Sequence, residues 1–205
     1  MRVQTDVFIH SLYPYPGRGF LASTRSSRLT GTALLAALVV VLDYALKFSG
    51  LKIPFPWMPT LKFDFTGIPI TLSLLMYGLP SALTTSLVAF IAIIARSGDV
   101  VGASMKFAAE FSTMLGLALG FKLAGRLVPR LREGIGLFTG ILFRVAAMSL
   151  ANIIVLPAFY GLPESVAYGM LPLIAVFNVA QGILTVLLGI FLYEAVKKRF
   201  PMPRS

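Results

Sequence analysis

The sequence predicts an all-α integral membrane protein with six transmembrane helices. Hydrophobic residues make up 57% of the 205 residues and charged residues only 13%, whereas a soluble domain typically carries about 25% charged residues. The mean hydropathy of +0.86 is too high for a surface that faces water. The apolar residues form continuous runs of about 20, the length that crosses a hydrocarbon core of roughly 30 Å. A membrane barrel would show alternating segments of about ten residues instead, so we expect helices.

Prolines, glycines and charges interrupt the apolar runs and predict where the helices end. Residues 49–63 contain Pro54, Pro56 and Pro59 and cannot form a regular helix. Pro157 is expected to end the fifth helix for the same reason. The predicted helices span about residues 31–48, 65–78, 80–96, 103–125, 135–157 and 172–196, with a basic loop at 126–133 and a further loop at 158–170.

The distribution of basic residues predicts that both termini are cytoplasmic. Six helices place both termini on one side, and that side carries twelve basic residues: Arg2, Arg18, Arg25, Arg28, Lys122, Arg126, Arg130, Arg132, Lys197, Lys198, Arg199 and Arg204. The opposite side carries five: Lys47, Lys52, Lys62, Arg96 and Lys106. Cytoplasmic loops are enriched in Lys and Arg. We expect residues 1–28 to form a polar, basic cytoplasmic tail rather than a signal peptide, and residues 29–200 to form the transmembrane domain.

Several function classes are disfavoured by what the chain lacks. There is no cysteine, which excludes disulfides and thiolate metal sites, and no phosphate-binding G-x-x-x-x-G-K-[ST] motif. If ATP drives this protein, another subunit must hydrolyse it. The only histidine, His10, lies in the tail, and no carboxylates have the spacing of an acid–base pair or a metal site, so we expect no enzymatic activity. The net charge of +10 is explained by topology rather than by nucleic-acid binding.

Charged residues within the predicted helices need partners, because an unpaired charge in a bilayer is expensive. Asp43 lies near the outer end of the first helix, where it either reaches water or is buried. Glu110 in the fourth helix and Arg144 in the fifth are predicted to form an intramembrane ion pair that holds the helices together.

Three uncharged polar residues are the candidates for a binding site. Asn152 and Asn178 lie in the outer halves of their helices, and Gln181 shares a helix face with Asn178 because residues three apart are neighbours on a helix surface. These residues either form interhelical hydrogen bonds or line a pocket for a polar, planar ligand. Separately, Ala33 and Ala37 provide the small-residue spacing that lets another helix approach closely.

Three segments resemble the substrate-binding S components of energy-coupling factor (ECF) vitamin transporters, most closely the riboflavin-specific branch. The second helix of that branch opens on a pattern similar to LKFDFTGIPITLSLLMYGLPSA (61–82). The end of its fifth helix is similar to MSLANIIVLPAFYG (148–161), and its last helix to AVFNVAQGILTVLLGIFLYEAVKKR (175–199). The resemblance covers about residues 30–200.

The resemblance implies a six-helix protein of the cell membrane that binds riboflavin in a pocket near the outer face and hydrolyses nothing. Helices 4 to 6 and the loop between helices 1 and 2 line this pocket in the family. A transmembrane coupling subunit and two ATPase subunits complete the transporter, and the spacing Ala33/Ala37 matches the family's docking motif. The lipid bilayer is the remaining partner, and riboflavin is a transported ligand rather than a cofactor.

The resemblance also implies ligand-binding residues. Asn152 and Asn178 match asparagines that contact the flavin ring. Gln181 stands where that branch usually has a lysine, and Gly67 where it usually has an acidic residue, so this chain departs from the pattern twice. The further candidates are Lys62, Phe63 and Asp64, beside the outer loop, and Lys106, near a position that is usually asparagine.

The sequence thus leads to three functional expectations. The first is a riboflavin-binding S component of an ATP-driven ECF importer. The second keeps the S-component role but changes the vitamin, as Gln181 permits. The third is a self-sufficient proton-coupled secondary transporter that uses Glu110 or Asp43 as its proton site.

Overall fold

The computed structural model describes residues 25–125 and 127–199, which form six helices and one two-stranded antiparallel sheet. In chain order these are α1 (Arg25–Phe48), β1 (Ile53–Phe55), β2 (Met58–Phe63), α2 (Gly67–Tyr77), α3 (Leu79–Ser97), α4 (Val100–Ala124), α5 (Pro129–Tyr160) and α6 (Glu164–Arg199). The prediction of six helices is confirmed. All of them except α2 are long and apolar enough to cross a membrane, judged by length and composition.

Helix α2 lies at the centre of the bundle, with ten of its eleven residues buried. It runs parallel to α6, since Asp64 just before α2 bonds to Gln181 and Thr71 further along packs against Gly189. We call the end of the bundle that carries the β-hairpin (residues 53–63) the hairpin end. The opposite end, where α1 begins and α6 ends, is the terminal end.

A β-hairpin occupies most of the proline-rich segment between α1 and α2. The absence of helix there was predicted, but the strands were not, because proline removes a hydrogen-bond donor from a strand ladder. Ile53 pairs with Phe63 and Pro54 with Lys62, with an irregularity before Phe55. A two-stranded ribbon has only edge strands, and edge strands tolerate proline.

The predicted ends of the last two helices are wrong because their prolines do not stop them. Helix α5 continues through Pro157 and ends at Tyr160. The next residue, Gly161, caps it, with a φ of 65° that favours glycine and an N–H that donates to the carbonyl of Leu156. Helix α6 begins at Glu164 and contains Pro172. Membrane helices accommodate proline because neighbouring groups satisfy the freed carbonyl. The connection between α5 and α6 therefore has three residues rather than thirteen.

The first helix is also longer than predicted. It begins at Arg25, so residues 25–28, assigned to the tail from the sequence, are helical. The rest of the predicted tail, with Arg2, His10 and Arg18, lies outside the described residues. The same is true of Arg126 and Arg204. The predicted basic loop at 126–133 is shorter than expected, because α5 begins at Pro129, a residue suited to the first turn of a helix.

Glycines bring α4 and α5 into close contact. A Cβ built at Gly116 would lie 2.5 Å from the carbonyl oxygen of Thr139 and 2.9 Å from the Cα of Gly140. The Thr139 hydroxyl donates to the carbonyl of Gly116 at 2.8 Å. Small residues at such crossings let two helix backbones approach in a membrane, so this contact depends on the missing side chain.

We therefore expect Gly116→Ala to destabilise the protein by about 1–3 kcal/mol, the usual cost of overpacking. Thermal unfolding of the purified protein in detergent measures this. Gly134→Ala is the matched control, because a Cβ at Gly134 meets nothing within 4 Å and alanine is the better helix former. A Gly116 variant as stable as the Gly134 variant would contradict the proposed close packing.

Candidate ligand-binding site

A cavity of about 570 Å³ opens at the hairpin end, between the β-hairpin and helices α4, α5 and α6. Small-molecule sites typically enclose about 300–1,000 Å³ and are mostly apolar with a few placed polar groups. Much of this wall is apolar, and it includes the methionines Met58, Met105, Met148 and Met170. Methionine is flexible, and its sulfur makes favourable contacts with aromatic rings. The wall therefore suits a flat ring system.

Aromatic residues join the hairpin to α6 beside this cavity. The ring centroid of Phe177 lies 5.5 Å from that of Phe55 and 5.1 Å from that of Phe63, and Trp57 lies 5.2 Å from Phe55. Phe177 also lines the cavity. Of these four residues the sequence analysis selected only Phe63, although the sequence shows several aromatic residues in the hairpin. Their packing holds the hairpin over one side of the cavity.

Asp64 lies between the hairpin and α2, and its carboxylate is almost completely enclosed by hydrogen-bonding groups. One carboxylate oxygen accepts hydrogen bonds from the Thr66 N–H and hydroxyl at 3.2 and 2.8 Å, and the other pairs with the ammonium of Lys106. Burial alone would raise the pKa of Asp64. The charges of Lys106 and Lys52 and the bond from Thr66 outweigh it and lower that pKa from 3.8 to about 2.

A chain of alternating charges extends from Asp64 to the ends of α1 and α3. Lys52 lies 3.9 Å from Asp64 and 2.9 Å from Asp43, and Arg96 lies 2.9 Å from the other carboxylate oxygen of Asp43. Asp43 is thus buried and doubly paired, which excludes the alternative that it reaches water. The described residues contain no group of three or more His, Cys, Asp or Glu side chains placed to hold a metal ion.

Gln181 joins α6 to the segment that precedes α2. Its amide nitrogen donates to the carbonyl of Asp64 at 2.8 Å and to the Thr185 hydroxyl at 3.1 Å, and its amide oxygen accepts from the Asp64 N–H at 3.3 Å. This amide satisfies both backbone groups of a residue that lies outside any helix. A lysine at this position has no acceptor and could not replace both bonds. Gln181 lines the cavity, but its amide is committed to this junction.

The predicted ion pair between Glu110 and Arg144 is confirmed, and it forms the floor of the cavity. The Arg144 Nη1 atom lies 3.3 Å from Glu110 Oε1, and both side chains are at most 5% exposed. The other carboxylate oxygen, Oε2, is buried without a hydrogen bond from the described residues and lies against Gly67, where a Cβ would come within 2.5 Å of it. Gly67 is the first residue of α2, and the positive end of a helix dipole favours a negative charge there.

The two candidate asparagines lie in the cavity wall at different depths. Asn178 accepts a hydrogen bond from Arg144 Nε at 3.1 Å and donates to the carbonyl of Ile174 at 2.9 Å. Asn152 donates to the carbonyl of Met148 at 2.7 Å, and its amide oxygen receives no hydrogen bond from the described residues. Asn178 therefore belongs to the floor, while Asn152 lies nearer the hairpin end and has a free acceptor.

The two candidate lysines lie at the mouth of the cavity. Lys106, on α4, lines the cavity and is bound to Asp64. Lys62, on β2, also lines it but is exposed, and no hydrogen bond from its ammonium to another described residue is present. The structure therefore brings together at one cavity six of the predicted ligand-binding residues, Lys62, Asp64, Lys106, Asn152, Asn178 and Gln181.

The predicted docking residues lie elsewhere, on the surface of α1. Ala33 and Ala37 are both exposed, whereas Ala36 beside them is buried. This face of α1 lies nearer the terminal end than the cavity. Ala33 borders a cleft between α1 and the start of α3.

Comparison with known proteins finds a solved structure with this fold. No family model matches the sequence, and no curated protein matches it. A solved structure described as the S component of a bacterial ECF transporter superposes with a TM-score of 0.72 at 24% sequence identity, over 87% of this chain and 100% of that one. The chain thus has the fold of that S component. With five apolar helices of membrane-spanning length, it is a multi-pass membrane protein.

We expect Asp64→Asn to reduce stability at neutral pH by about 2 kcal/mol, the free energy that corresponds to the lowered pKa. A carboxyl group with a lowered pKa contributes its stability above its ordinary value of 3.8, and loses it as the pH falls towards about 2. The wild type should therefore lose stability between about pH 4 and pH 2, and the variant should show less of this decline. Thermal unfolding across pH tests both statements.

Asp99→Asn is the matched control for Asp64→Asn. Asp99 lines the same cavity but is exposed, and it caps α4 by accepting from the Gly102 N–H. Asparagine is an equally good cap, so this variant should retain wild-type stability. Equal loss of stability in the two variants would contradict the role assigned to Asp64.

Proposed function

We propose that the protein is the riboflavin-binding S component of an ATP-driven ECF-type vitamin importer. The observation that carries the proposal is the cavity of about 570 Å³ in a chain with an S-component fold. Six of the residues selected from the sequence as ligand contacts line this cavity. The combination of an apolar, methionine-rich wall with a few buried amides suits a flat, uncharged ring with polar edges.

The proposed partners follow from what the chain itself does not contain. No phosphate-binding loop is present in the sequence, so ATP hydrolysis would be supplied by two ATPase subunits through a transmembrane coupling subunit. The exposed small-residue face at Ala33 and Ala37 is the proposed contact with the coupling subunit. The protein itself catalyses no reaction in this scheme.

The proposed orientation places both termini in the cytoplasm and the cavity on the outer face of the cell membrane. At the terminal end the described residues include eight basic side chains: Arg25, Arg28, Lys122, Arg130, Arg132, Lys197, Lys198 and Arg199. The hairpin end carries five, Lys47, Lys52, Lys62, Arg96 and Lys106, of which three are paired with Asp43 or Asp64. This asymmetry favours a cytoplasmic terminal end.

The alternative of a self-sufficient proton-coupled transporter receives less support. Asp43 is bound by two cations and Glu110 by one, so both carboxylates already have partners within the bundle. Uptake into liposomes by this protein alone, driven by a pH gradient, would favour that alternative. A binding screen over vitamins separates riboflavin from other ligands of an S component.

We expect the purified protein to bind riboflavin and to quench its fluorescence, and Asn152→Ala to weaken binding by about tenfold, the value of one hydrogen bond. Asn178→Ala should weaken it by at least as much, since Asn178 also orients Arg144. Fluorescence titration of protein stripped of bound ligand measures the affinities. Absence of flavin binding by the wild type would rule out the ligand assignment, and unchanged affinity in both variants would rule out the proposed pocket.

We expect Ala37→Phe to prevent assembly with the coupling subunit while leaving riboflavin affinity unchanged. A phenylalanine on this exposed face would keep a partner helix from approaching closely. Co-purification with the coupling subunit and the two ATPases measures assembly. Ala45→Phe is the matched control, because Ala45 is also exposed on α1 but lies at the hairpin end. Normal assembly of the Ala37 variant would refute the docking assignment.

A further inference from the structure

We propose that Arg144 is the specificity-determining residue of the cavity and that it selects an uncharged ring edge bearing carbonyl acceptors. The proposal rests on the proposed function and assigns a ligand contact to a residue that the sequence analysis interpreted only as part of an ion pair. Arg144 lies at the floor of the cavity, 4% exposed. An ionisable residue at membrane depth that faces a cavity is a candidate functional group in its own right.

Two of the three guanidinium nitrogens of Arg144 are held by the protein. Nε donates to Asn178 Oδ1 at 3.1 Å, and Nη1 lies 3.1–3.4 Å from Thr113 Oγ1, Glu110 Oε1 and the carbonyl of Ala109. The aliphatic stem of Arg144 lies beside α6 at Gly182, where a Cβ would be in ordinary contact with Arg144 Cδ at 3.4 Å. The guanidinium is thus fixed from both α4 and α6.

The third nitrogen, Nη2, has no acceptor among the described residues. Arg144 lines the cavity, and Nη2 is not among the fully buried unpaired atoms, so it is accessible from the cavity. A guanidinium nitrogen of this kind carries two N–H donors in a fixed plane. Leaving such donors unsatisfied in a buried site costs free energy. A ligand that reaches the floor with a carbonyl oxygen satisfies them, and one without an acceptor there does not.

The charge of the floor selects an uncharged acceptor rather than an anion. Glu110 already neutralises Arg144 at 3.3 Å, so a carboxylate ligand would bring a net negative charge into a buried site, which is strongly disfavoured. Nearer the hairpin end, the amide oxygen of Asn152 can accept a hydrogen bond from a donor group of the ligand. Asn152 is eight residues beyond Arg144 on α5, about 12 Å along the helix axis. The cavity therefore suits an elongated ligand with carbonyls at the inner end and hydroxyl or N–H donors further out.

This assignment makes Asn178 a positioning residue. Its amide oxygen is occupied by Arg144 Nε, and its amide nitrogen is bonded to Ile174. Arg144 then contacts the flavin, and Asn178, which was expected to contact it directly, holds Arg144 in place.

The test compares the affinity for riboflavin with that for 2-thioriboflavin and 4-thioriboflavin, in which sulfur, a weak acceptor, replaces one ring carbonyl oxygen. We expect the wild type to prefer riboflavin over at least one analogue by about tenfold. Arg144→Lys keeps the charge beside Glu110 but lacks the forked donors. We therefore expect this variant to bind riboflavin and the analogues with about equal affinity. The double variant Arg144→Met/Glu110→Gln removes charge and donors together and should behave in the same way.

The ratio of affinities separates recognition from a purely structural role, because a loosened floor weakens binding of all three compounds alike. Equal binding of all three compounds by the wild type would overturn the proposal without any variant. A preference that persists in Arg144→Lys would also overturn it, since sulfur would then be rejected for its size, while the riboflavin assignment would stand. If the wild type binds none of the compounds, the proposed function fails and this inference fails with it.

Discussion

The hydrogen bonds around Asp64 hold together the non-helical part of the molecule. Both of its backbone polar groups bond to the amide of Gln181, and its carboxylate holds Thr66 and Lys106. Asp64 is buried, so no bulk water replaces such bonds and its backbone groups must be satisfied by protein. The hairpin, α2, α4 and α6 are thereby fixed relative to one another. The two sides of the cavity, and hence its shape, depend on this one residue.

The general architecture followed from the sequence, because helix formation in lipid is governed by long apolar runs that one can read directly. The ends of α5 and α6 did not, because Pro157 and Pro172 stop helices in water but not where neighbouring groups satisfy the freed carbonyl. The hairpin was also missed. Its strands pair only with each other, and the packing of Phe55 against Phe177 joins residues that lie far apart in the chain and share no local signal.

The sequence predicted which residues line the cavity better than it predicted what each of them does there. The sequence indicated that Asn178 and Gln181 share a face, and both line the cavity. It could not show that Gln181 is committed to the backbone of Asp64, because that contact joins residues 117 positions apart. Contacts between distant parts of the chain are not visible in the sequence, so Arg144 was interpreted only as one partner of an ion pair. Only the three-dimensional arrangement distinguishes nitrogens bound by the protein from one that faces open space.

The shortness of α2 determines how the membrane voltage acts on the site. Eleven residues rise about 16 Å, roughly half the hydrocarbon thickness, so α2 alone does not cross the hydrocarbon core, and the floor of the cavity lies beside its first residue, Gly67. When water fills the cavity, the transmembrane potential falls mainly across the protein between this floor and the terminal end. A charge that moves from this floor to the terminal end would cross most of that potential, worth about 2.3 kcal/mol per 100 mV for a full crossing. The ion pair of Glu110 with Arg144 adds no net charge to this floor, and an uncharged ligand crosses from the floor to the terminal end without electrical work.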